Sequence, residues 1–313
     1  MARQAIRIGT RGSKLAMVQA ETVRAAIAGQ LGADEAAVLV KVTTSGDRIQ
    51  DRTLSDIGGK GLFTKEIEEA LLAGRIDCAV HSLKDMPAES PPGLVIAAIP
   101  QRADPRDAFL GRECAAFADL PRCAVLGTAS LRRQAQALRR RPDLVIVPVR
   151  GNVDTRLGKL ARGEADGIIL AAAGLDRLGL KDLPREMIDP DASPPAPGQG
   201  ALAIQARHDD RDAAWLAGLE HRATRLATAA ERAALAALDG SCRTAIGAFA
   251  RLEGEELILI IEALSPDGAE AFRERGVLSL ADGDGDEAAA VDFGVKLGEA
   301  VRQAAGSALA ETP

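Results

Sequence analysis

Short strand-like segments alternate with amphipathic helical segments through most of this sequence. Ala5 to Thr10 alternates apolar and polar residues like a strand, and the next segment begins a helix with Ser13 as its expected N-cap. A later helix has Thr64 as its expected cap. Because strand and helix alternation builds parallel sheets covered by helices, the pattern predicts an α/β fold with ligands at the carboxyl ends of the strands.

Two linker-like segments divide the chain. Pro100 to Asp107 and Asp191 to Gln199 contain prolines that interrupt helices and central strands. A strand at Ala201 to Ala206 can return to the first sheet, and an alanine-rich helix, further strands and a closing helix follow. The sequence therefore predicts two doubly wound α/β domains and a small C-terminal α+β domain. We expect domain 1 at residues 1–100 with 200–218, domain 2 at 104–194 and domain 3 at 222–313.

The stretch AVHSLKDMP places charged residues where a short buried strand ends. Pro87 prevents the strand from continuing, so Lys84 and Asp85 are expected at its carboxyl end, where α/β sheets bind ligands. An adjacent lysine and carboxylate are also common as a solvated surface pair that contributes little to stability. Both interpretations stay open from these residues alone.

Arginine is concentrated in the middle of the chain. From Arg122 to Arg177, ten arginines and one lysine stand against five acids, a local charge of +6 in a chain whose formal net charge is −6. Such segments favour bidentate recognition of carboxylate or phosphate, although a solvated helix face has the same composition. Arg132 and Arg133 follow Ser130 in the first turn of a predicted helix, where cations oppose the helix dipole, so a bound anion is expected there.

Other basic residues also lie at predicted strand ends. Arg11 and Ser13 stand between a strand and a helix, Arg150 ends a strand, and Arg156 lies in the helix after it. Backbone N–H groups and the helix dipole favour an anion at such positions. A simple capping role explains Ser13 equally well.

Composition narrows the classes of function. Aromatic residues make up 2% of the chain and its net charge is negative, which argues against nucleic-acid binding. We find no apolar run long enough for a membrane span and no metal-ligand spacing among the three histidines, so neither a membrane protein nor a metal site is expected. Widely spaced cysteines and an N-terminus without a signal-peptide pattern predict a reduced, cytoplasmic protein.

Cys242 is the cysteine best placed for chemistry. It lies on a predicted loop after the alanine-rich helix, beside Arg243, and a neighbouring guanidinium favours the nucleophilic thiolate. Cys78, inside an apolar strand, is expected in the core. The residues alone leave a covalent and an inert role for Cys242 about equally open.

Seven motifs occur in the order typical of one enzyme family. They are GTRGSKLA, GGKGLFTKEIEEALL, AVHSLKDMP, GTASLRRQ, RGNVDTRL, PGQGAL and GSCRT. Across essentially its full length the chain therefore resembles the hydroxymethylbilane synthase, or porphobilinogen deaminase, family. The resemblance implies two domains built like type II periplasmic binding proteins and a third domain that carries a cysteine on a loop.

The resemblance also implies a reaction. In the family, porphobilinogen loses ammonia, the free α-carbon of a dipyrromethane cofactor attacks the resulting electrophile, and after four additions water releases the linear tetrapyrrole hydroxymethylbilane. A thioether holds the cofactor, and Cys242 matches the residue that forms it. Asp85 matches the catalytic aspartate. Each pyrrole carries an acetate and a propionate, which gives the arginine excess a physical reason.

The family's remaining contact positions are carried over residue by residue. Cofactor-binding positions are Lys84, Ser130, Arg132, Arg133 and Arg150, and substrate-binding positions are Arg11, Ser13, Lys60, Phe63, Arg150, Arg156 and Arg177. We expect porphobilinogen as the small-molecule partner, a monomer, and no metal, nucleic acid or membrane as a partner.

The chain departs from the family pattern at three positions. Ala245 stands where proline is common, which restores a backbone donor; Ala129 replaces a frequent serine, and Phe249 a frequent tyrosine. A non-catalytic, two-lobed protein that binds a polycarboxylate is the alternative. It would use the same arginines but need neither Cys242 nor Asp85.

Overall fold

A computed structural model describes residues 5–33, 36–45, 64–87, 89–238, 245–281, 283 and 285–306. The chain divides into two compact units: unit 1 is Met1–Ala103 with Gly200–Arg225, and unit 2 is Asp104–Gln199 with Leu226–Pro313. The division into three domains stays a prediction. Among the described helices, none has both the length and the apolar character needed to cross a membrane.

The described strands and helices follow the predicted alternation closely. The strands are β1 (Ile6–Thr10), β2 (Ala37–Lys41), β3 (Cys78–Ser82), β4 (Leu94–Ala98), β5 (Asp107–Gly111), β6 (Val125–Gly127), β7 (Val145–Val147), β8 (Gly167–Ala171), β9 (Glu186–Met187), β10 (Leu202–Arg207), β11 (Ala245–Glu253), β12 (Glu256–Leu264) and β13 (Ala271–Ser279). The helices are α1 (Lys14–Leu31), α2 (Lys65–Leu72), α3 (Leu131–Arg140), α4 (Val153–Ala161), α5 (Ala172–Arg177), α6 (Arg222–Ala237) and α7 (Asp286–Ala305).

Unit 1 contains a five-stranded sheet in the order β2-β1-β3-β10-β4. Strands β1, β2 and β3 are parallel, whereas β10 runs antiparallel to β3 and β4. The predicted return of the chain to this sheet is therefore confirmed, and the sheet is mixed. In β3, Val80 packs on the side that contacts α1 and Ala79 on the side that contacts α2, so both faces of this central strand are buried.

The first helix of unit 1 begins as predicted and the second does not. The Ser13 hydroxyl accepts a hydrogen bond from the backbone N–H of Ala16 at 3.3 Å, which confirms the N-cap of α1. The prediction that Thr64 caps α2 is wrong. Its backbone already has helical dihedral angles, and its side chain makes no capping hydrogen bond. Ile67 and Leu71 nevertheless bury the apolar face of α2.

Unit 2 contains a second five-stranded sheet in the order β7-β6-β8-β5-β9. Strand and helix alternation predicted a parallel sheet here, and the sheet is instead mixed, because β5 pairs antiparallel with β8 and β9 antiparallel with β5. The segment predicted as a linker ends one residue earlier than expected, since Asp107 already belongs to β5. Phe109 of β5 packs edge to face against Phe117, with ring centroids 5.5 Å apart.

The C-terminal part of unit 2 is an antiparallel sheet in the order β11-β12-β13. Strand β12 is buried on both faces over most of its length, which explains its continuous apolar sequence. Buried alanines of α6 and residues of α7 belong to the same core cluster as β11 and β12. The predicted combination of two α/β sheets with a small α+β part is confirmed.

Candidate active site

The predicted residues of unit 1 lie at one edge of its sheet. Strands β1 and β3 are parallel neighbours, so their carboxyl ends meet at the same edge. Arg11 directly follows β1, and Ser13 begins α1. Lys84 and Asp85 lie in a single 3₁₀ turn directly after β3, and both are exposed. The structure therefore places these four side chains where the sequence predicted them.

Buried contacts on both sides fix the turn that carries Lys84 and Asp85. The Leu83 side chain is fully buried, and its backbone N–H donates to the Ala201 carbonyl at 3.0 Å. The Gln19 amide donates to the Ser82 hydroxyl at 2.9 Å and ties α1 to the end of β3. With Leu83 directed inward, its two charged neighbours face solvent. Sequence reasoning missed Gln19, whose only signal is a polar residue on an otherwise apolar helix face.

His81 lies on β3 just before the turn and is buried, with 6% of its surface exposed. Burial lowers the pKa of His81 to about 4; a hydrogen bond with Gln205 opposes this shift, and the charge of Arg11 adds to it. Its Nε2 atom has no hydrogen-bond partner among the described residues. The imidazole is therefore neutral at physiological pH.

Cys78 occupies the core position predicted for it. Its side chain is fully buried in β3, and burial raises the pKa of its thiol. A buried thiol with a raised pKa is a poor nucleophile.

The predicted basic residues of unit 2 also gather at one edge. Strands β6, β7 and β8 are parallel neighbours, so their carboxyl ends lie together. Ser130 begins the helix after β6, Arg150 and Arg156 follow β7, and Arg177 ends the helix after β8. Burial lowers the pKa of Arg177. This edge therefore collects positive side chains from three consecutive connections.

The connection after β7 depends on a glycine. Gly151 has a φ of 108°, and a Cβ there would lie 2.6 Å from the Thr155 Cγ2 atom. Asn152 then caps α4 by accepting a hydrogen bond from the Thr155 N–H at 2.8 Å. The Arg156 Nε donates to the Gly151 carbonyl at 2.8 Å. This turn fixes the path of the backbone between Arg150 and Arg156.

Arg132 is buried inside unit 2 and paired with a carboxylate of the protein. Its Nη1 donates to Asp107 Oδ2 at 2.7 Å, to Gln136 Oε1 at 2.9 Å and to the Pro194 carbonyl at 3.3 Å. Its neighbour Arg133 donates through Nη2 to the other Asp107 oxygen, also at 2.7 Å. The sequence predicted an anion beside these first-turn arginines, and the Asp107 carboxylate of the protein itself is one such anion.

Sequence reasoning missed Asp107, although it is the most perturbed acid at this edge. Burial raises the pKa of Asp107, but the charges of Arg132 and Arg133 outweigh burial and hold the pKa well below its ordinary value. The available signal was an aspartate at the start of an apolar segment, which resembles the end of a loop. Ser130 caps α3 by accepting from the Arg133 N–H at 3.4 Å.

Some predicted residues lie outside the described part of the chain. These are Lys60, Phe63 and Cys242. Within the described ranges, no group of three or more histidine, cysteine, aspartate or glutamate side chains could hold a metal ion.

Comparison with known proteins identifies the family. Residues 6–214 match the family described as "Porphobilinogen deaminase, dipyromethane cofactor binding domain", and residues 225–303 match "Porphobilinogen deaminase, C-terminal domain". The chain belongs to the porphobilinogen deaminase family. Members of this family are transferases of tetrapyrrole biosynthesis that use a dipyrromethane cofactor. The resemblance inferred from the seven motifs is thereby confirmed.

Several family relatives align over almost the whole chain. The porphobilinogen deaminase of Caulobacter vibrioides (strain NA1000 / CB15N) is 61% identical, with 99% of each chain covered. That of Phenylobacterium zucineum (strain HLK1) is 59% identical, with 97% of this chain and 98% of the relative covered. Among solved structures, a YaeC-family lipoprotein from Enterococcus faecalis V583 is 15% identical with a TM-score of 0.40, covering 69% of this chain and 89% of its own.

Proposed function

We propose that this family member condenses porphobilinogen units into the linear tetrapyrrole hydroxymethylbilane, with Asp85 as its catalytic carboxylate. The observation that supports this proposal is the position of Asp85. It lies exposed in the turn after β3, at the carboxyl edge of the sheet, and the buried Leu83 fixes that turn. A carboxylate held there can stabilise the positive charge that develops on a pyrrole nitrogen as ammonia departs.

The arginines of unit 2 fit the chemistry of a polypyrrole. Each pyrrole of the chain carries carboxylates, and charge-assisted hydrogen bonds from guanidinium groups bind carboxylates selectively. Three neighbouring parallel strands, whose carboxyl ends lie together, are each followed by predicted binding residues. These residues are Ser130, Arg132, Arg150, Arg156 and Arg177. We assign these residues to the cofactor and the growing product, with Arg133 as a further cofactor position.

The residues present suit the family's dipyrromethane group. Arg132 and Arg133 carry two positive charges against the single carboxylate of Asp107, and Arg132 keeps donors that no described residue accepts. When bound, the dipyrromethane supplies the nucleophilic pyrrole carbon to which substrate units are added. We propose a thioether between this group and Cys242, and we assign Lys84 to cofactor binding and Arg11, Ser13, Lys60 and Phe63 to substrate binding.

A cytoplasmic, monomeric enzyme is the remaining part of the proposal. The described cysteines, Cys78, Cys114 and Cys123, are free thiols, which suits a reducing compartment. Light scattering of the purified protein tests the monomer, and a mass corresponding to a stable dimer would contradict it.

Replacement of Asp85 tests the proposed chemistry. We expect Asp85→Asn to fold and to carry the cofactor but to release ammonia at least about a hundredfold more slowly, because an amide cannot stabilise the developing charge. Asp85→Glu, the matched control, should retain more activity than the amide because it keeps the negative charge. The measurement is single-turnover ammonia release by cofactor-loaded protein. Near-native release by Asp85→Asn would exclude Asp85 from the mechanism.

If the chain were instead the non-catalytic polycarboxylate-binding protein, the same assay would give a different result. The wild-type protein would bind porphobilinogen without releasing ammonia, and neither Asp85 variant would differ from it.

A further inference from the structure

Asp107 is the residue through which the two first-turn arginines of α3, Arg132 and Arg133, contact β5. It begins β5 and is buried, with 4% of its surface exposed. The Arg132 Nη1 donates to Asp107 Oδ2, and the Arg133 Nη2 donates to Asp107 Oδ1, each at 2.7 Å. The Gln199 amide also donates to Oδ1 at 3.0 Å and to the Pro105 carbonyl at 2.8 Å. Both oxygens of Asp107 thus accept hydrogen bonds from donors within unit 2.

The charges in this cluster do not cancel. Two guanidinium groups share the one carboxylate of Asp107. Glu262 also acts on Arg132 through its charge, but it pairs with Arg273 at 3.5 Å. One positive charge of the arginine pair is therefore left without a partner of its own. A buried charge that is only partly compensated is costly, so stability alone does not favour this composition.

The two arginines differ in the donors that remain. Arg133 uses all three of its nitrogens: Nε and Nη2 donate to Asp107, and Nη1 donates to the Ile169 carbonyl at 3.0 Å. Arg132 makes its hydrogen bonds through Nη1 only. Its Nε and Nη2 donate to no described residue, and the side chain keeps 5% exposure. Arg132 can therefore still donate to a ligand, whereas Arg133 is largely committed to the protein.

From this geometry we infer that Asp107 is a positioning residue for cofactor assembly. It holds Arg132 with the Nε and Nη2 donors available for a carboxylate of the pyrrole chain, and it fixes Arg133 as a support beside it. The inference deepens the proposed function and rests on it. A fixed guanidinium binds a carboxylate better than a mobile one, because its orientation is set before the ligand arrives.

The experiment measures cofactor loading rather than turnover. The wild-type chain and Asp107→Asn are produced in cells that make no porphobilinogen and then incubated with increasing porphobilinogen. Intact-mass spectrometry gives the fraction of chains that gain two pyrrole units. We expect the half-saturating porphobilinogen concentration for loading to rise at least about tenfold in Asp107→Asn, since charge-assisted donors are effective only when held in place.

Asp77→Asn is the matched control. Asp77 also contacts two arginines, with Arg7 at 2.7 Å and Arg207 at 3.7 Å, but it lies before β3, at the opposite end of that strand from Asp85. We expect Asp77→Asn to lower the free energy of unfolding but to gain pyrrole units at the same porphobilinogen concentrations as the wild type. Equal loading curves for Asp107→Asn and Asp77→Asn, compared per folded molecule, would overturn the inference.

A second variant and the result for the wild-type chain make the experiment informative even if Asp107→Asn does not fold. If Asp107→Asn does not fold, Gln199→Met removes one donor to Asp107 while all three charges stay, and loading should weaken in the same direction; unchanged loading would overturn the inference. If the wild-type chain itself gains no pyrrole units, the cofactor part of the proposed function fails instead.

Discussion

His81 shows how one buried side chain can make stability depend on pH. Its pKa is about 4 in the folded protein against an ordinary value of 6.5, with burial as the main cause. Between these two values the unfolded chain binds a proton that the folded chain does not. The free energy of unfolding therefore falls as the pH falls from 6.5 to 4, and below pH 4 the loss caused by this group stays constant.

The prediction for His81 concerns urea unfolding at pH 7 and pH 5. The wild-type chain should lose about 2 kcal/mol of its free energy of unfolding between these conditions through this group. His81→Gln cannot take up the proton and should lose correspondingly less. An identical loss in both proteins would show that His81 is not the group responsible.

At the scale of single residues, the sequence revealed those positions whose side chains end a strand or begin a helix. Ser13, Lys84 and Asp85 were found because Pro87 and the cap pattern mark their positions locally. Asp107 was missed because its partners, Arg132 and Arg133, are 25 and 26 residues away along the chain. The pairing of β8 with both β5 and β6 brings these residues together, and no local pattern encodes it.

At the scale of elements, the packing of α6 against α7 depends on small residues. A Cβ at Gly298 of α7 would lie 2.6 Å from the Ala234 carbonyl oxygen and 2.9 Å from the Ala237 Cβ. These distances are below van der Waals contact, so the helices approach closely because Gly298 has no side chain.

Substitution of that glycine should separate the two helices. We expect Gly298→Ala to lower the free energy of unfolding by about 1 to 3 kcal/mol, the usual cost of overpacking a core. Gly29→Ala is the control, since Gly29 lies in α1 with no atom within 4 Å of the added Cβ. The control should be neutral or stabilise the protein by up to about 1 kcal/mol through helix propensity. Equal effects of both changes in thermal unfolding would contradict close packing at Gly298.

The elements themselves were largely predictable, and their pairing was not. The largely apolar segments Gly167 to Ala171 and Glu256 to Leu264 predict strands, and the bounds of β8 and β12 agree with them. The antiparallel direction of β5 and β10 could not be read from periodicity, which is the same for both strand directions. The Thr64 cap was wrong because a suitable residue type does not fix the backbone angles that capping needs.

At the scale of the whole molecule, two sheets each present a row of side chains at the carboxyl ends of their parallel strands. Unit 1 provides the carboxylate and lysine of the HSLKD stretch, and unit 2 provides the arginines. The proposed function assigns the carboxylate of Asp85 to the chemistry and the arginines to the carboxylates of the growing product. The proposed reaction requires one further feature, a covalent point of attachment for the cofactor.

The mass of the purified protein tests that requirement most directly. The wild-type chain of 313 residues should exceed its sequence mass by two pyrrole units, and Cys242→Ala should have the mass of the bare chain. Cys78→Ala should keep the added mass, because Cys78 is buried in β3. A bare wild-type chain with full turnover, or an adduct that persists in Cys242→Ala, would contradict the account.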